Sequence, residues 1–482
     1  MVSATSSLSL LPGSTVGITV EVDVSQGLPG MTIVGRGNKS VHEAIQRVRS
    51  ALKHAGLSLP PKKYVINLAP ADFPKNGAHY DVAIAIALMT AVGYIKDTQV
   101  GAAFFVGELS FDGTIRPLHS PLLILQTITL PHPITLFGPP SEDLVRYRPD
   151  SLTYYPSSTL QDVFLHLKKI SLLPPLEKKS SSKPPVDTSL DAIQGQPAAK
   201  RALAIAAAGR HTVLMIGPPG AGKTLLARAA LSLLPPLSAY DTQMAALVHT
   251  QAGLPPIPYF GPPFRNPHHA ISRARLIGSP RGTPGELSLA HGGILFLDEL
   301  AEFRREAIEA LRQPLESVQA RNSTGPYMVI AATNPCPCGF YGDKRQQCRC
   351  TAWQRQRYIQ RISGAIIDRF DICLWIEPEH INKNQRTKLV YDTQRSDLFK
   401  STELTKVSTS SLENSSNSHI DICSEESLQL LEHATSSLTL TRRGQQSILR
   451  VAYTIAALDD SPTILPHHIA EALQYRNNLW GR

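Results

Sequence analysis

His211-Thr-Val-Leu-Met-Ile-Gly-Pro-Pro-Gly-Ala-Gly-Lys-Thr-Leu-Leu-Ala227 decides the fold of this chain. Val213 to Ile216 is an unbroken apolar run, short enough for a strand buried on both faces. The turn Gly217-Pro218-Pro219-Gly220-Ala221-Gly222-Lys223-Thr224 follows, and Leu225 to Leu234 resumes at helical spacing. Strand, glycine-rich turn and helix, in that order, make a phosphate-binding loop. The glycines let successive backbone N–H groups turn inward around phosphate oxygens, and the helix N-terminus adds partial positive charge. Lys223 is placed to reach the β- and γ-phosphates, and the Thr224 hydroxyl to ligate Mg2+. The cofactors expected from the loop are ATP and Mg2+, on an α/β domain with a parallel sheet.

Two other apolar runs end in the polar groups such a site needs. Ile294-Leu-Phe-Leu-Asp-Glu-Leu300 reads as a buried strand ending in two acids. Asp298 suits the Mg2+ shell, and Glu299 suits orienting and deprotonating an attacking water, which points to hydrolysis. Val329-Ile-Ala-Ala-Thr-Asn334 ends in an amide able to hold the same water from the far side.

The rest of the chain divides around this body. With 482 residues there is room for two or three domains. Hydrophobic residues at 42% and charged residues at 18% exclude a wholly disordered chain, a collagen-like fibre and a long coiled coil. The prolines mark the boundaries: Leu172 to Val186 reads LLPPLEKKSSSKPPV, a solvated linker. This gives a first domain over 1–168, a linker over 169–188 and the nucleotide-binding body over 189–378. A partly Ser-rich loop covers 379–422, and a helical segment covers 423–482. In the first domain Val16, Ile18, Val20, Val22 and Val24 alternate as in a strand, and Val41, Ile45, Val48, Leu52 and Ala55 recur as in a helix ended by Gly56. Tyr64 to Leu68 reads as another strand and Tyr80 to Val92 as an Ala-rich packed helix, an α+β pattern. Arg47, Arg49 and Lys53 fall between the apolar positions and read as a solvated helix face, with a basic patch as the other reading. Val82 to Val92, the longest apolar stretch, is too short to span a membrane, and the N-terminus lacks the basic region of a signal peptide. The cytoplasm is the expected compartment, with no membrane partner. The net charge of +9 suits a polyanionic partner.

Four cysteines cluster as Cys336-Pro-Cys338 and Cys348-Arg-Cys350. Structural Zn2+ on four thiolates, ordinary reduced thiols and a disulfide are the readings open. Cys373 and Cys423 read as core or loop residues. His268 and His269, in Phe264-Arg-Asn-Pro-His-His269, allow a two-His metal site or plain packing; the family resemblance set out below implies, as a third reading, a subunit or pore contact in which Arg265, Arg273 and Arg275 meet phosphate backbone.

The chain resembles magnesium-chelatase-like AAA+ ATPases of the YifB/ComM family. The stretches that carry the resemblance run in the family's order along nearly the whole chain: GLPGMTIVG, VINLAPADFPKNGAHYDVAIAIAL, IQGQPAAKRALAIAAAGRHTVLMIGPPGAGKTLLA, FRNPHHAISRARLIG, PGELSLAHGGILFLDEL, NPCPCGFYGD, RISGAIIDRFDICLWIE and TRRGQQSILRVAYTIAALDDSP. The resemblance implies a P-loop AAA+ core with a C-terminal helical lid, preceded by a Lon-protease-like domain of ribosomal S5 domain 2 type. It puts Asn334 at the sensor-1 position, Arg369 of Asp368-Arg-Phe-Asp371 at the arginine finger, and Arg443, beside Arg442, at sensor 2. Gln196, in Ile193-Gln-Gly-Gln196, falls at the adenine-side contact. Arg369 would then act on a neighbour's nucleotide in a ring, expected to be a hexamer.

In the Lon-like domain the matching run is Lys75-Asn-Gly-Ala-His-Tyr-Asp81, with His79 where the nucleophilic Ser would stand and Leu122 near the Lys position. Without nucleophile or base, proteolysis has no site. Between Glu316 and Asn334 the family carries a longer pore hairpin; the shorter 317–333 segment here would weaken translocation and leave ATP hydrolysis untouched. The function the resemblance implies is a DNA motor for branch migration or helicase activity on single-stranded or branched DNA, in recombination of transforming DNA. An ATP-driven chaperone or remodelling enzyme, and a metal-chelatase motor subunit acting on a protein partner, are the alternatives.

Overall fold

The computed structural model describes residues 2–9, 16–34, 39–70, 75, 77–118, 120–129, 133–177, 189–254, 261–279, 283–319, 327–378, 422–438 and 440–476. Two units emerge: Met1–Ser182 with Thr242–Tyr259, and Lys183–Asp241 with Phe260–Arg482.

The first unit is built on strands β1 (Val2–Leu8), β2 (Gly17–Ser25), β3 (Gly30–Val34), β4 (Lys63–Ala69), β5 (Phe104–Phe105), β6 (Glu108–Leu109), β7 (Ile115–Arg116), β8 (Ile134–Gly138) and β9 (Leu152–Pro156). Seven of them form one sheet in the order β3-β4-β2-β1-β5-β8-β9. β2 runs antiparallel to β1 and β4, and the other neighbours are parallel. The period-two pattern of β2, an interior strand, gives it one core face: Ile18, Val20 and Val22 are fully buried while the residues between them are not. Helix Lys39–His54 buries Val41, Val48 and Leu52, and the chain leaves it at Gly56, with Leu57 N–H donating to the Leu52 carbonyl. In helix Asp81–Val92 every residue from Asp81 to Ala91 is buried, as an element apolar on all sides must be.

Arg47 departs from the solvated-face reading. Its Nε lies 2.6 Å and its Nη2 3.1 Å from the carboxylate of the fully buried Asp81, which also accepts from Leu109 N–H. Burial raises the Asp81 carboxyl to about 6, with Arg47 opposing the shift. Thr242–Tyr259 is a second difference: the sequence division puts it in the nucleotide-binding body, yet it belongs to the first unit, where Ala246 joins a cluster with Leu8, Leu136 and Tyr154.

The second unit carries β10 (Val213–Ile216), β11 (Phe264–Arg265), β12 (Ile294–Leu297), β13 (Met328–Thr333) and β14 (Ile372–Trp375). They form an all-parallel sheet ordered β11-β12-β13-β10-β14. One face, through Val213, Met215, Ile294 and Phe296, shares a core with helix Pro197–Gly209 and the C-terminal helices Arg442–Leu458 and Pro466–Gln474. The other, through Leu214, Ile216, Leu295 and Leu297, packs with Ile308, Leu311 and Phe370. Cover on both faces explains why these strands are continuous apolar runs. A third C-terminal helix spans Glu425–Leu438.

The C-terminal helices are also tied to the sheet through Asp371, at the N-terminal approach to β14. Its carboxylate accepts from Arg450 Nη2 at 2.7 Å and from the Ser447 hydroxyl, and it lies 3.6 Å from His211 Nδ1. Burial works against its charge, but Arg450, His211 and Ser447 hold the carboxyl well below the usual range. Cys373 lies in β14, and Cys423 bridges to Ile464. The 379–421 loop, the middle of the 317–333 segment (320–326) and most of the linker (178–188) lie outside the described residues. No described helix is long and apolar enough to cross a membrane.

Candidate active site

Because the five strands are parallel, their carboxyl ends share one edge, the edge at which such sheets gather ligand-binding loops. The register places Ile216 opposite Thr333, and Leu297 opposite Ala331. The glycine-rich loop, the Asp298–Glu299 pair and Asn334 therefore leave three strands of the same sheet, with β13 between β12 and β10. At Gly217 the loop passes so close to β14 that a Cβ would lie 2.3 Å from the Ile376 carbonyl oxygen, so no other residue fits there.

Four of the expected residues meet directly. Thr224 Oγ1 donates to Asp298 Oδ2 at 2.9 Å. Lys223 Nζ lies 2.6 Å from the Gly217 carbonyl, 3.0 Å from that of Pro218 and 3.2 Å from Asn334 Oδ1. Burial pushes Lys223 down to about 8, although Asp298 and Glu299 pull the other way. An ammonium held by its own loop carbonyls is a stand-in arrangement: triphosphate oxygens supply the anionic partners those carbonyls only approximate. The paired Thr224 hydroxyl and Asp298 carboxylate are a hard-oxygen donor set suited to Mg2+. The residues present thus fit ATP with Mg2+.

Glu299 sits beside this group with φ 53° and ψ 47°, the left-handed region a non-glycine residue seldom adopts. Its N–H donates to Asp298 Oδ1 at 3.0 Å, and its side chain is half exposed, with Oε2 3.5 Å from His269 Nδ1. Gln196 is likewise left-handed (φ 56°), at the start of helix Pro197–Gly209, where its side-chain amide donates to the Glu377 carbonyl.

Arg369 and Arg443 converge on a second point, the carboxylate of Glu316. Arg443 Nη2 is 2.5 Å from Glu316 Oε1, and Arg369 Nη2 bonds the same oxygen. Arg369 also donates to the Ala365 carbonyl at 2.5 Å, and its side chain is buried. The two cationic residues that the resemblance assigns to nucleotide are, in the single chain, held by one acid.

The four clustered cysteines do come together. The Cys336 and Cys338 sulfurs are 3.4 Å apart, Cys336 and Cys348 3.7 Å, and Cys338 and Cys348 3.6 Å. All four sulfurs, including that of Cys350, lie within 4.8 Å of one another, and all six cysteines of the chain are free thiols. These separations exceed a disulfide bond and approach the ~3.8 Å edge of a ZnS4 tetrahedron. N–H groups of Cys338, Tyr341 and Cys350 each point at a cluster sulfur from 3.4 Å, as donors do around thiolates. The donor set fits Zn2+.

Comparison with known proteins places this architecture. Residues 189–384 match the family model described as magnesium chelatase, subunit ChlI; residues 20–132 match subunit ChlI of Mg-chelatase, and residues 392–476 its C-terminal part. The chain is 36% identical over 479 residues to YifB of Salmonella typhimurium, covering 95% of this chain and 94% of the relative. It is 36% identical over 486 residues to the competence protein ComM of Haemophilus influenzae, with the same coverage.

The chain belongs to the YifB/ComM family of magnesium-chelatase-like AAA+ ATPases.

Membership accounts for the ATP- and Mg2+-adapted edge of the second unit. The remaining candidates are placed as follows. Arg265, read as a phosphate-backbone contact, is engaged by Glu286 through a two-point ion pair at 2.7 and 2.9 Å. Arg273 and Arg275 are exposed on helix Arg273–Ile277. The His268 and His269 rings lie 4.1 Å apart, tilted by 36°, and join no metal-ligating group among the described residues. In the first unit, Leu122, which the resemblance puts near a Lon-type Lys position, is buried, and burial lowers His79 to about 4. Two features of this YifB/ComM protein escaped the sequence reading, the role of Glu316 and the contact between His269 and Glu299. His269 stands in a quoted family stretch, but its place beside Glu299 depends on β11 pairing with β12. Glu316 carries no local signal at all.

Proposed function

We propose that this YifB/ComM protein is a ring-forming, Mg2+-dependent ATPase that moves branched or single-stranded DNA. The observation that carries the reading is the meeting of Lys223, Thr224, Asp298 and Asn334 at one carboxyl edge of a parallel sheet. Lys223 exchanges its loop carbonyls for the β- and γ-phosphates of ATP. Thr224 and Asp298 hold Mg2+, which when bound neutralises phosphate charge. Gly217, Pro218, Pro219, Gly220, Ala221 and Gly222 wrap the phosphates, and Gln196 lies on the adenine side. Glu299 takes the proton of a water whose oxygen attacks the γ-phosphorus. The bond from that phosphorus to the β,γ-bridging oxygen breaks, giving ADP and phosphate, and Asn334 orients the water. Arg443 comes from the chain's own C-terminal lid. Arg369 completes a neighbour's site in a hexamer, where a γ-phosphate competes with Glu316 for its guanidinium.

The first unit acts in this reading as a non-catalytic Lon-protease-like domain, since neither His79 nor Leu122 can stand in for a Ser/Lys pair. Support for DNA comes from the +9 charge, the exposed Arg273 and Arg275, and the likeness to a competence protein. The compartment that follows is the cytoplasm. The test is the movement of a labelled four-way junction by the purified protein. ATP-dependent dissociation by wild type, absent in Lys223→Ala, is expected. ATP hydrolysis with no junction processing would move the assignment to remodelling of a protein partner.

A further inference from the structure

The cysteine cluster stands apart from the machinery of hydrolysis, yet it touches the phosphate loop. β13 ends at Thr333, and only Asn334 and Pro335 separate it from Cys336, which is fully buried. The next cluster residue, Cys338, is followed by Gly339, whose φ is +84°. A Cβ at Gly339 would lie 2.7 Å from Cδ and Cγ of Pro219 in the phosphate loop and 4.0 Å from the Asn334 side chain. The backbone of the cysteine turn is therefore seated directly on Pro219, and only a residue without a side chain permits it. On its other side the same turn meets β14, where Gly342 lies against the Trp375 indole. Tyr341 N–H donates to Cys336 Sγ, and the Arg355 guanidinium lies 4.6 Å over the Tyr341 ring and donates to the Cys350 carbonyl.

Between Pro335 and Cys350 there is no helix or strand, so regular backbone hydrogen bonding does not fix the shape of this turn. What draws its two ends together is the convergence of four thiols. A segment of this kind gains its stability from a bound metal, because the metal ties together ligands that no helix or strand holds in place.

We propose that Cys336, Cys338, Cys348 and Cys350 bind one Zn2+ whose role is to brace the phosphate loop, holding Gly339 against Pro219 so that the ATP site keeps its shape. The coupling rests on the reading of that loop as the ATP site. Zinc bound here is structural: four thiolates fill its shell and leave no open position for chemistry. The brace acts on Pro219, one of the loop residues that wrap the phosphates, so its loss weakens ATP binding.

The experiment uses the full chain and two variants. Metal content is measured by mass spectrometry, and affinity with a fluorescent, non-hydrolysed ATP analogue. Wild type is expected to carry about one zinc per chain. Cys348→Ser/Cys350→Ser is expected to lose the zinc and to bind the analogue about tenfold more weakly. Gly339→Ala keeps all four thiols and drives a methyl into Pro219. It is expected to retain zinc and still weaken binding, and it decides the matter if the cysteine variant fails to fold by circular dichroism. Wild type without zinc, or a folded zinc-free variant with unchanged affinity, overturns the proposal. So does Gly339→Ala with unchanged affinity. A zinc-loaded wild type that binds no nucleotide overturns the ATP reading and the coupling with it, while the metal site stands on its own count.

Discussion

Lys223 makes nucleotide binding pH-dependent in a way that can be worked out in advance. Among the described residues its ammonium faces only neutral oxygens at contact distance, the Gly217 and Pro218 carbonyls and Asn334 Oδ1, and burial pushes it down to about 8. Bound triphosphate restores it toward or above its ordinary value near 10.4. In the free site the protonated fraction falls from about nine-tenths at pH 7 to about one-tenth at pH 9, so affinity falls about tenfold, or about 1.4 kcal/mol. Affinity is thus nearly full at pH 7, about half at pH 8 and about one-tenth at pH 9. Phosphate monoesters lose their last proton near pH 6, so the ligand keeps its charge across this window. Isothermal titration with a non-hydrolysed analogue at pH 7, 8 and 9 measures the decline. At pH 8.5, titrations in two buffers of different ionisation enthalpy should show uptake of about three-quarters of a proton. Lys223→Arg stays charged throughout and should bind with a flat profile, whatever its absolute affinity. A flat profile in wild type, or the same slope in Lys223→Arg, refutes the reasoning.

Two other outcomes follow from the same geometry. Glu299→Gln keeps the size of the side chain and removes its ability to take a proton; single-turnover phosphate release should slow by about 10²- to 10⁴-fold while affinity for the ATP analogue holds. Asp371→Ala leaves Arg450 and His211 facing an empty buried position, and should cost about 3–5 kcal/mol, read as a lowered melting transition of the second unit by calorimetry.

The legible part of this protein was the part written contiguously. The phosphate loop carries strand, turn and helix in one stretch, and Asp298, Glu299 and Asn334 each close an apolar run, so their common edge follows once the sheet is parallel. The burial of helix Asp81–Val92 was equally plain, since eleven of its residues are apolar enough or small enough to pack on all sides. What escaped were contacts made across the chain. Arg47 read as a surface cation because its partner, Asp81, lies 34 residues on and was hidden inside an apolar run. Glu316 is 53 residues from Arg369 and 127 from Arg443. Nothing local marks an acid that will hold two arginines. For Arg265 the resemblance suggested a phosphate contact and left packing open; its partner in the fold, Glu286, lies 21 residues on and is not marked locally. Pair identity in such cases is set by tertiary packing, which a single sequence does not encode in spacing. The cysteines lie between these extremes: their pairing in sequence suggested a shared site, but the seat of Gly339 on Pro219 appears only in three dimensions.

The central claim is that the edge holding Lys223, Thr224, Asp298 and Asn334 hydrolyses ATP in the service of DNA. Phosphate release by the purified protein, measured alone and with single-stranded, duplex and four-way-junction DNA and with Lys223→Ala as the blank, tests it most directly. The account predicts Mg2+-dependent release that DNA stimulates, most strongly when branched, and none in the variant. Release that every DNA leaves unchanged, or that Lys223→Ala retains, would contradict it.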